Sequence, residues 1–510
     1  MALRETRTQS GLVRGTAAGD PRVTVFKGIP YAEAPVGENR WRPPIPKGMW
    51  EGVFDAVRFG NICPQGIPQP GTFYHKEFFS AQVLETHSED CLQLNVWTPA
   101  ESVDENLPVL VFIHGGGFQT NYSFPPQFDG EELARKGIVV VTINYRVGVF
   151  GFLAHPELSK ESSLGVSGNY GLMDQICALQ WVRNNIWAFG GDPESITISG
   201  GSAGANSVLL LSVIDQTRGW FKGAIMQSGP LLERNFTLAE GERLGKGLLE
   251  RYGISSIDEA RKVDAAVLCQ YGPDLDRGEP PFLQPYVDGY LLKDCVLNCL
   301  KHNQLDEHTA YLLGCTKDEA RSMRNRFRAT PEDLEQKLRS CYGPYSEEYR
   351  KAVAYSTAEQ AFQFQLEHGF TEDMYVYSLA FCLLYREKRD KPVYLYHFER
   401  PLPGDDNGAF HACEHWYVFK TLNRCWRTFE GVDYELSDRM VNYWSNFIKH
   451  QNPNDAIQPQ WEPFSKQCPR YMVLDVHSHM EKAEVSPAVA ARLKYYCGDQ
   501  LGDWRPPCTN

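Results

Sequence analysis

The sequence predicts an α/β protein with a mostly parallel sheet covered on both faces by helices. Three observations carry this. Two apolar, β-branched runs at 109–113 and 138–143 are short and bounded by turn signals, as fully buried strands are. Between 172 and 188, Leu172, Ile176, Leu179, Val182 and Ile186 recur every three to four residues, the period of a helix, which Gly190-Gly191-Asp192-Pro193 then stops. Finally, Ile196-Thr197-Ile198-Ser199 reads as a strand and Ala205-Asn206-Ser207-Val208-Leu209 as a helix start, with only Gly200-Gly201-Ser202-Ala203-Gly204 between them. Strands that alternate with helices in this way imply parallel pairing.

The remaining elements follow in order. Residues 1–60 are rich in Gly, Pro and Val, with a short strand expected at 23–26, and read as an ordered, irregular arm. Residues 61–88 read as loop and 92–97 as an alternating strand. A further strand is expected at 224–229, then a polar helical stretch at about 232–305. Strands at 310–314 and 393–398 flank amphipathic helices over 330–390, and helices close the chain from about 436. Neither repeat nor linker interrupts it. The expected organisation is one catalytic domain, 1–510, with helical insertions at about 232–305 and 322–390.

Composition excludes several classes. At 510 residues, with 42% hydrophobic and 23% charged residues, the chain can bury a large core. A net charge of −13 argues against nucleic acid or an anionic membrane as partner. No apolar run reaches the roughly 18 residues of a membrane helix. The N-terminus, Met1-Ala2-Leu3-Arg4-Glu5-Thr6, has no apolar signal region, so a reducing cytoplasm is expected. The 14 cysteines are scattered, with no Cys-x-x-Cys pair, and read as buried free thiols; Cys295 and Cys299 have no second ligand pair. In that compartment the sequons at Asn121 and Asn235 are chance matches.

The chemistry centres on Ser202. A strand turning sharply into a helix strains its apex residue and leaves no room for side chains two positions either side. The helix N-terminus also offers N–H donors to developing negative charge. Ser202 is therefore a candidate nucleophile. His114-Gly115-Gly116-Gly117-Phe118 follows the strand at 109–113, where three glycines free the backbone to aim N–H groups at an oxyanion. Together the two glycine-rich turns favour acyl transfer. A nucleophilic serine needs a base, and the base an orienting acid, in the chain order Ser, acid, His. Asp318 or Glu319 after the strand at 310–314 could supply the acid. His411, one of 13 histidines, sits in a glycine-containing loop and could supply the base.

The chain also resembles the type-B carboxylesterase and cholinesterase family, most of all its para-nitrobenzyl-esterase-type members. The matching stretches include Glu38-Asn39-Arg40-Trp41-Arg42-Pro43-Pro44, Ser88-Glu89-Asp90-Cys91-Leu92, the glycine loop from His114 to Phe118, and Asn144-Tyr145-Arg146-Val147-Gly148. They continue with Gly168-Asn169-Tyr170-Gly171, Phe189-Gly190-Gly191-Asp192-Pro193, the turn at Ser202, Asp318-Glu319 and Gly408 to Glu414, and end at Tyr443-Trp444-Ser445-Asn446-Phe447. The resemblance implies the α/β-hydrolase fold and an esterase working through an acyl-enzyme, without a cofactor, on a small-molecule ester. It implies Ser202 as nucleophile, Glu319 as triad acid and His411 as general base, with the N–H groups of Gly116, Gly117 and Ala203 holding the oxyanion. Phe118 and Gly201 are expected beside the substrate. Cys63 and Cys91 fall where secreted members form a disulfide; free thiols are expected here. Two departures stand out. Gly201 replaces the usual glutamate before the nucleophile, which disfavours cationic choline-like substrates and enlarges the acyl pocket. Ala412 replaces a frequent glycine after the histidine.

Other readings use the same residues. Amidase or thioesterase chemistry could run on the same triad. His411-Ala412-Cys413-Glu414-His415 matches H-x-x-E-H, a zinc-peptidase pattern that needs both histidines on one helical face. A non-catalytic adhesion or scaffold member of the family is the third.

Overall fold

The computed structural model describes residues 2–79, 87–232, 235–273, 280–326, 343–352, 357–364, 369–386 and 391–501, with 332, 335 and 339. The insertions expected at about 232–305 and 322–390 fall partly outside these residues. The chain divides into two compact units. One is Met1–Lys222 with Asn235–Cys295; the other is Gly223–Arg234 with Val296–Asn510.

The first unit holds strands β1 (Glu5–Thr8), β2 (Gly11–Arg14), β3 (Thr16–Ala17), β4 (Thr24–Pro30), β5 (Val53–Asp55), β6 (Gln93–Thr98), β7 (Leu107–Ile113), β8 (Val139–Ile143) and β9 (Gly191–Gly201). Its main sheet runs β9-β7-β8-β6-β4-β3, beside a small β1-β2-β5 sheet. Within the main sheet, pairing is parallel only across β9-β7-β8. Strands β6, β4 and β3 pair antiparallel, so this part of the sheet is less parallel than the sequence predicts. The short link from β3 to β4 leaves no other choice, since parallel neighbours need a crossover of about a dozen residues. The run at 139–143 is buried at every position, as a strand covered on both faces must be.

Helix α1 (Tyr170–Asn185) carries the expected period, and a 3₁₀ turn ends it at Gly190, whose φ of 77° favours glycine. The following Asp192-Pro193 lies in β9, not in a loop. Helix α2 (Ala203–Val213) follows the Ser202 turn, and α3 (Leu238–Arg251) opens on a Thr237–Glu240 capping box. Beyond α3 the described residues up to 295 are less helical than expected, with single turns at Ile257–Ala260 and Ala265–Leu268. The loop at 61–88 contains a helical turn, Phe73–Phe78, capped by Thr72.

A buried ion pair ties the end of β8 to α1. Arg146 donates from Nε and Nη2 to both oxygens of Asp174 at 2.7 Å, and its backbone N–H adds a third bond at 3.0 Å. Cys63 and Cys91 are buried free thiols, hydrogen-bonded to one another.

The second unit holds β10 (Gly223–Gln227), β11 (Ala310–Thr316), β12 (Val393–Phe398), β13 (Arg470–Leu474) and β14 (His479–Lys482), in the order β14-β13-β12-β11-β10. All pairs are parallel except β13 with β14. Helices α4 (Phe370–Arg386), α5 (Gly431–His450) and α6 (Pro487–Cys497) belong to this unit. The closing segment is therefore not purely helical. Tyr471-Met472-Val473-Leu474 is a buried apolar run that adds a strand to β12, and the chain returns along β14 before α6. Among the described residues no helix is long and apolar enough to cross a membrane.

Asp174→Ala leaves the Arg146 guanidinium buried and unpaired. It should cost about 3–5 kcal/mol, seen as a lower denaturant midpoint at unchanged slope.

Candidate active site

In the first unit the Ser202 turn is built by crowding. Ser202 sits at φ 57°, ψ −125°, half-buried between β9 and α2. A side chain at Gly200 would put its Cβ 2.4 Å from the Gly204 carbonyl, and one at Gly204 would lie 2.1 Å from the Ile113 oxygen. Strand β7 thus passes so close to the turn that only glycine fits on either side of the serine. Ala203 opens α2, so its N–H is among the first four of the helix, which have no intrahelical acceptor.

The glycine loop is packed against this turn. A Cβ on Gly115 would meet the Gly201 oxygen at 2.5 Å and the Ser202 Cβ at 3.0 Å. Gly116 and Gly117 take φ of 102° and 63°, and the Gly116 carbonyl accepts the N–H groups of Gln119 and Thr120 at 3.0 and 3.1 Å. Both glycines reach solvent, whereas Phe118 is buried with its ring edge-on to Phe152 at 5.2 Å. Gly201 is buried beneath Gly115. His114 stacks on Tyr145 at 4.3 Å, and Tyr145 Oη donates to its carbonyl at 2.9 Å. Burial takes the His114 imidazole down to about 4, so it stays neutral at neutral pH.

The second unit contains an acid–imidazole pair. Glu319 follows β11 and is completely buried. Its Oε2 bonds His411 Nδ1, and its Oε1 accepts the Thr316 N–H at 2.8 Å. Burial pushes the Glu319 carboxyl up, but the His411 charge and hydrogen bond, the Ser228 hydroxyl and the Thr316 N–H together hold it below its ordinary value. His411 is 6% exposed and meets the Phe370 ring edge-on at 5.5 Å.

The neighbouring carboxylate does something else. Asp318 Oδ2 accepts the Ala409 N–H at 2.9 Å, and the Asp318 N–H donates to the Ala409 carbonyl at 3.0 Å. Gly408, at φ 64°, lets the loop approach; a Cβ there would lie 2.2 Å from Asp318 Oδ2. So Glu319 meets the imidazole and Asp318 staples down the loop that carries it.

The H-x-x-E-H pattern is not a helical ligand set. Ala412 has φ of 67°, and the helix after it spans only His415–Val418, so His411 and His415 share no helical face. Among the described residues no three His, Cys, Asp or Glu side chains are grouped to hold a metal ion.

Several roles here were not anticipated. Glu414 is buried, with Oε1 accepting from Tyr396 Oη at 3.2 Å and Gln227 Nε2 at 3.4 Å. Burial raises its carboxyl to about 7, helped by the Glu319 charge, against the opposing pull of its own backbone, His411 and Gln227. The roles of Ser228, Thr316 and Glu414 depend on segments distant in sequence; the linear signal of the first two is a polar residue at a strand end, and that of Glu414 is only its place in H-x-x-E-H.

A carboxylesterase family model matches residues 3–490. The chain belongs to the carboxylesterase family. It is 34% identical over 480 residues to the fumonisin B1 esterase of Sphingopyxis macrogoltabida, covering 90% of this chain and 84% of that protein. To the para-nitrobenzyl esterase of Bacillus subtilis it is 33% identical over 490 residues, covering 92% and 94%. A solved para-nitrobenzyl esterase structure superposes with a TM-score of 0.82 at 31% identity, over 96% of this chain and 99% of that one. The protein therefore has the α/β-hydrolase fold and is a carboxylic ester hydrolase.

The raised Glu414 carboxyl makes the stability of this esterase depend on pH. An acid whose folded pKa is raised stabilises the fold fully below its unfolded value, near 4.5, and loses that contribution as pH rises towards 7. The loss amounts to about 3 kcal/mol. Glu414→Gln keeps the acceptor but not the titration, so its unfolding midpoint should exceed that of wild type at pH 8. That advantage should shrink steadily and vanish below about pH 4.5.

Proposed function

We propose that Ser202, His411 and Glu319 form one catalytic triad, that the two units act together as a single catalytic domain, and that the substrates are uncharged small-molecule esters. The observation that carries this is the buried Glu319–His411 pair. An imidazole that donates Nδ1–H to a carboxylate keeps Nε2 as its basic nitrogen, and the carboxylate steadies the imidazolium formed when that nitrogen takes a proton. Depression of the Glu319 pKa keeps that carboxylate ionised at neutral pH.

In the first half of the reaction, His411 takes the Ser202 proton as Oγ attacks the ester carbonyl. The N–H groups of Gly116, Gly117 and Ala203 stabilise the oxyanion, each lowering the barrier by about 3 kcal/mol. The left-handed glycines of the loop and the position of Ala203 at the helix start support this assignment. The alcohol leaves with the proton from His411. In the second half His411 activates water, which attacks the acyl-enzyme and releases the acid.

Phe118 and Gly201 border the acyl group in this reading. With glycine before the serine, no carboxylate is offered there to a cationic substrate, which favours neutral esters. The free Cys63 and Cys91 thiols support placement in a reducing cytoplasm.

Treatment with a fluorophosphonate should add one adduct, mapped by mass spectrometry to Ser202 and lost in Ser202→Ala. Adducts on another serine, or none on folded protein, would overturn the assignment. Glu319→Gln should lower kcat by about 10³-fold or more while the enzyme remains folded. Matched ester, thioester and amide substrates should be turned over with the ester preferred; a faster amide or thioester would move the substrate class.

A further inference from the structure

In the first unit the loop that carries Gly116 and Gly117 leaves the end of β7, and its far side must be fixed as well. That far side is Asn121, at φ 84°, a left-handed conformation uncommon outside glycine. The peptide between Thr120 and Asn121 is one rigid plane. Its carbonyl end presses on the loop, since a Cβ on Gly116 would lie 2.2 Å from the Thr120 oxygen. Whatever holds the other end, the Asn121 N–H, therefore sets where the Gly116 backbone can sit.

Gln65 holds it. This residue lies 56 positions earlier in the chain and is buried. Its Oε1 accepts the Asn121 N–H at 2.5 Å, and its Nε2 donates to the Asn121 carbonyl at 3.0 Å and the Cys63 carbonyl at 3.1 Å. One side-chain amide thus satisfies both polar groups of Asn121, as a paired residue on an antiparallel strand would. The pattern needs a donor and an acceptor on one planar group, because Nε2 faces two carbonyl oxygens while Oε1 faces an N–H. Other anchors lie on either side. The Phe118 carbonyl accepts the Gly148 N–H at 2.7 Å, and the Ser123 N–H donates to Asn144 Oδ1 at 2.8 Å. Each of these holds a different peptide from the one that presses on Gly116.

We propose that Gln65 is a positioning residue for ester hydrolysis: it fixes the Thr120–Asn121 peptide and, through it, the backbone of Gly116. The inference rests on the reading that the Gly116 and Gly117 N–H groups receive the oxyanion. Donors aimed at an oxyanion matter more to the tetrahedral state than to the bound ester, so a displaced loop costs rate more than binding. A misplacement of about 1 Å costs about 100-fold in rate.

Two variants test this. Gln65→Met keeps the length of the side chain and none of its three bonds. Gln65→Glu keeps the shape and sets a carboxylate against two carbonyl oxygens. Fluorophosphonate titration to completion counts the reactive serines, so unfolded enzyme does not pass for slow enzyme. Per reactive serine, each variant should hydrolyse para-nitrophenyl acetate with kcat lower by about 10–100-fold and KM within about threefold of wild type. Trifluoroacetophenone, which forms a tetrahedral adduct with an active serine, should bind each variant more weakly by the same factor as kcat. A lower melting temperature with kcat and ketone affinity unchanged, or a loss confined to KM, would overturn the proposal. A wild-type enzyme that binds the ketone no better than the ester would overturn the oxyanion reading instead. Hydrogen exchange on the wild type, resolved to single amides, needs no variant to fold: the Asn121 N–H should be strongly protected, and exchange at the rate of a free peptide would overturn the proposal.

Discussion

Ser202 occupies a backbone conformation that an L-residue adopts only when its surroundings allow nothing else. The surroundings here are the Ile113 end of β7 and the Gly115 peptide, both too close to the turn for a Cβ on either flanking glycine or on Gly115 itself. Much else in the first unit serves that contact. Parallel pairing of β9 with β7 sets the height at which Gly200 meets Ile113, and the Arg146–Asp174 pair fastens α1 to the end of β8, the strand on the other side of β7. Strain at the serine persists because a rigid, buried sheet enforces it.

The second unit meets a different constraint, charge out of water. A fully buried carboxylate stays ionised at Glu319 because a backbone N–H and an imidazole donate to it and the Ser228 hydroxyl favours its charged form. Nearby, burial raises the Glu414 carboxyl to about 7, helped by the Glu319 charge, because weaker donors oppose it there. Two buried acids of one type are driven in opposite directions by the hydrogen bonds around them. The neutral form of Glu414 keeps a second negative charge away from Glu319 below that pH.

The elements that were legible in the sequence are those with several local signals at once. The runs at 109–113, 138–143 and 393–398 read as strands because β-branched or aromatic residues fill them and turn signals bound them, and the α1 pattern reads as a helix, which the structure buries over most of its surface. The Gly200–Gly204 spacing around Ser202 was legible for a steric reason, since crowding on both sides of a turn excludes every other residue. Edge elements were not. Strands β13 and β14 hide in the C-terminal stretch because a short apolar run has no periodicity of its own, and β12 turns it into a strand. The three-stranded sheet of the N-terminal arm is likewise held by pairing across distant segments.

The chain's own chemistry determined its fold class and the presence of a serine turn, a glycine loop and late acidic and histidine candidates, because these follow from side-chain size, polarity and local backbone freedom. The tertiary structure decided between neighbours that local chemistry cannot separate. Asp318 and Glu319 are adjacent carboxylates, but one faces the Ala409 peptide and the other the His411 ring. His411 and His415 have helical spacing in the sequence, but a left-handed Ala412 parts them. Each outcome depends on which way the backbone turns at one residue, and packing from far along the chain sets that direction.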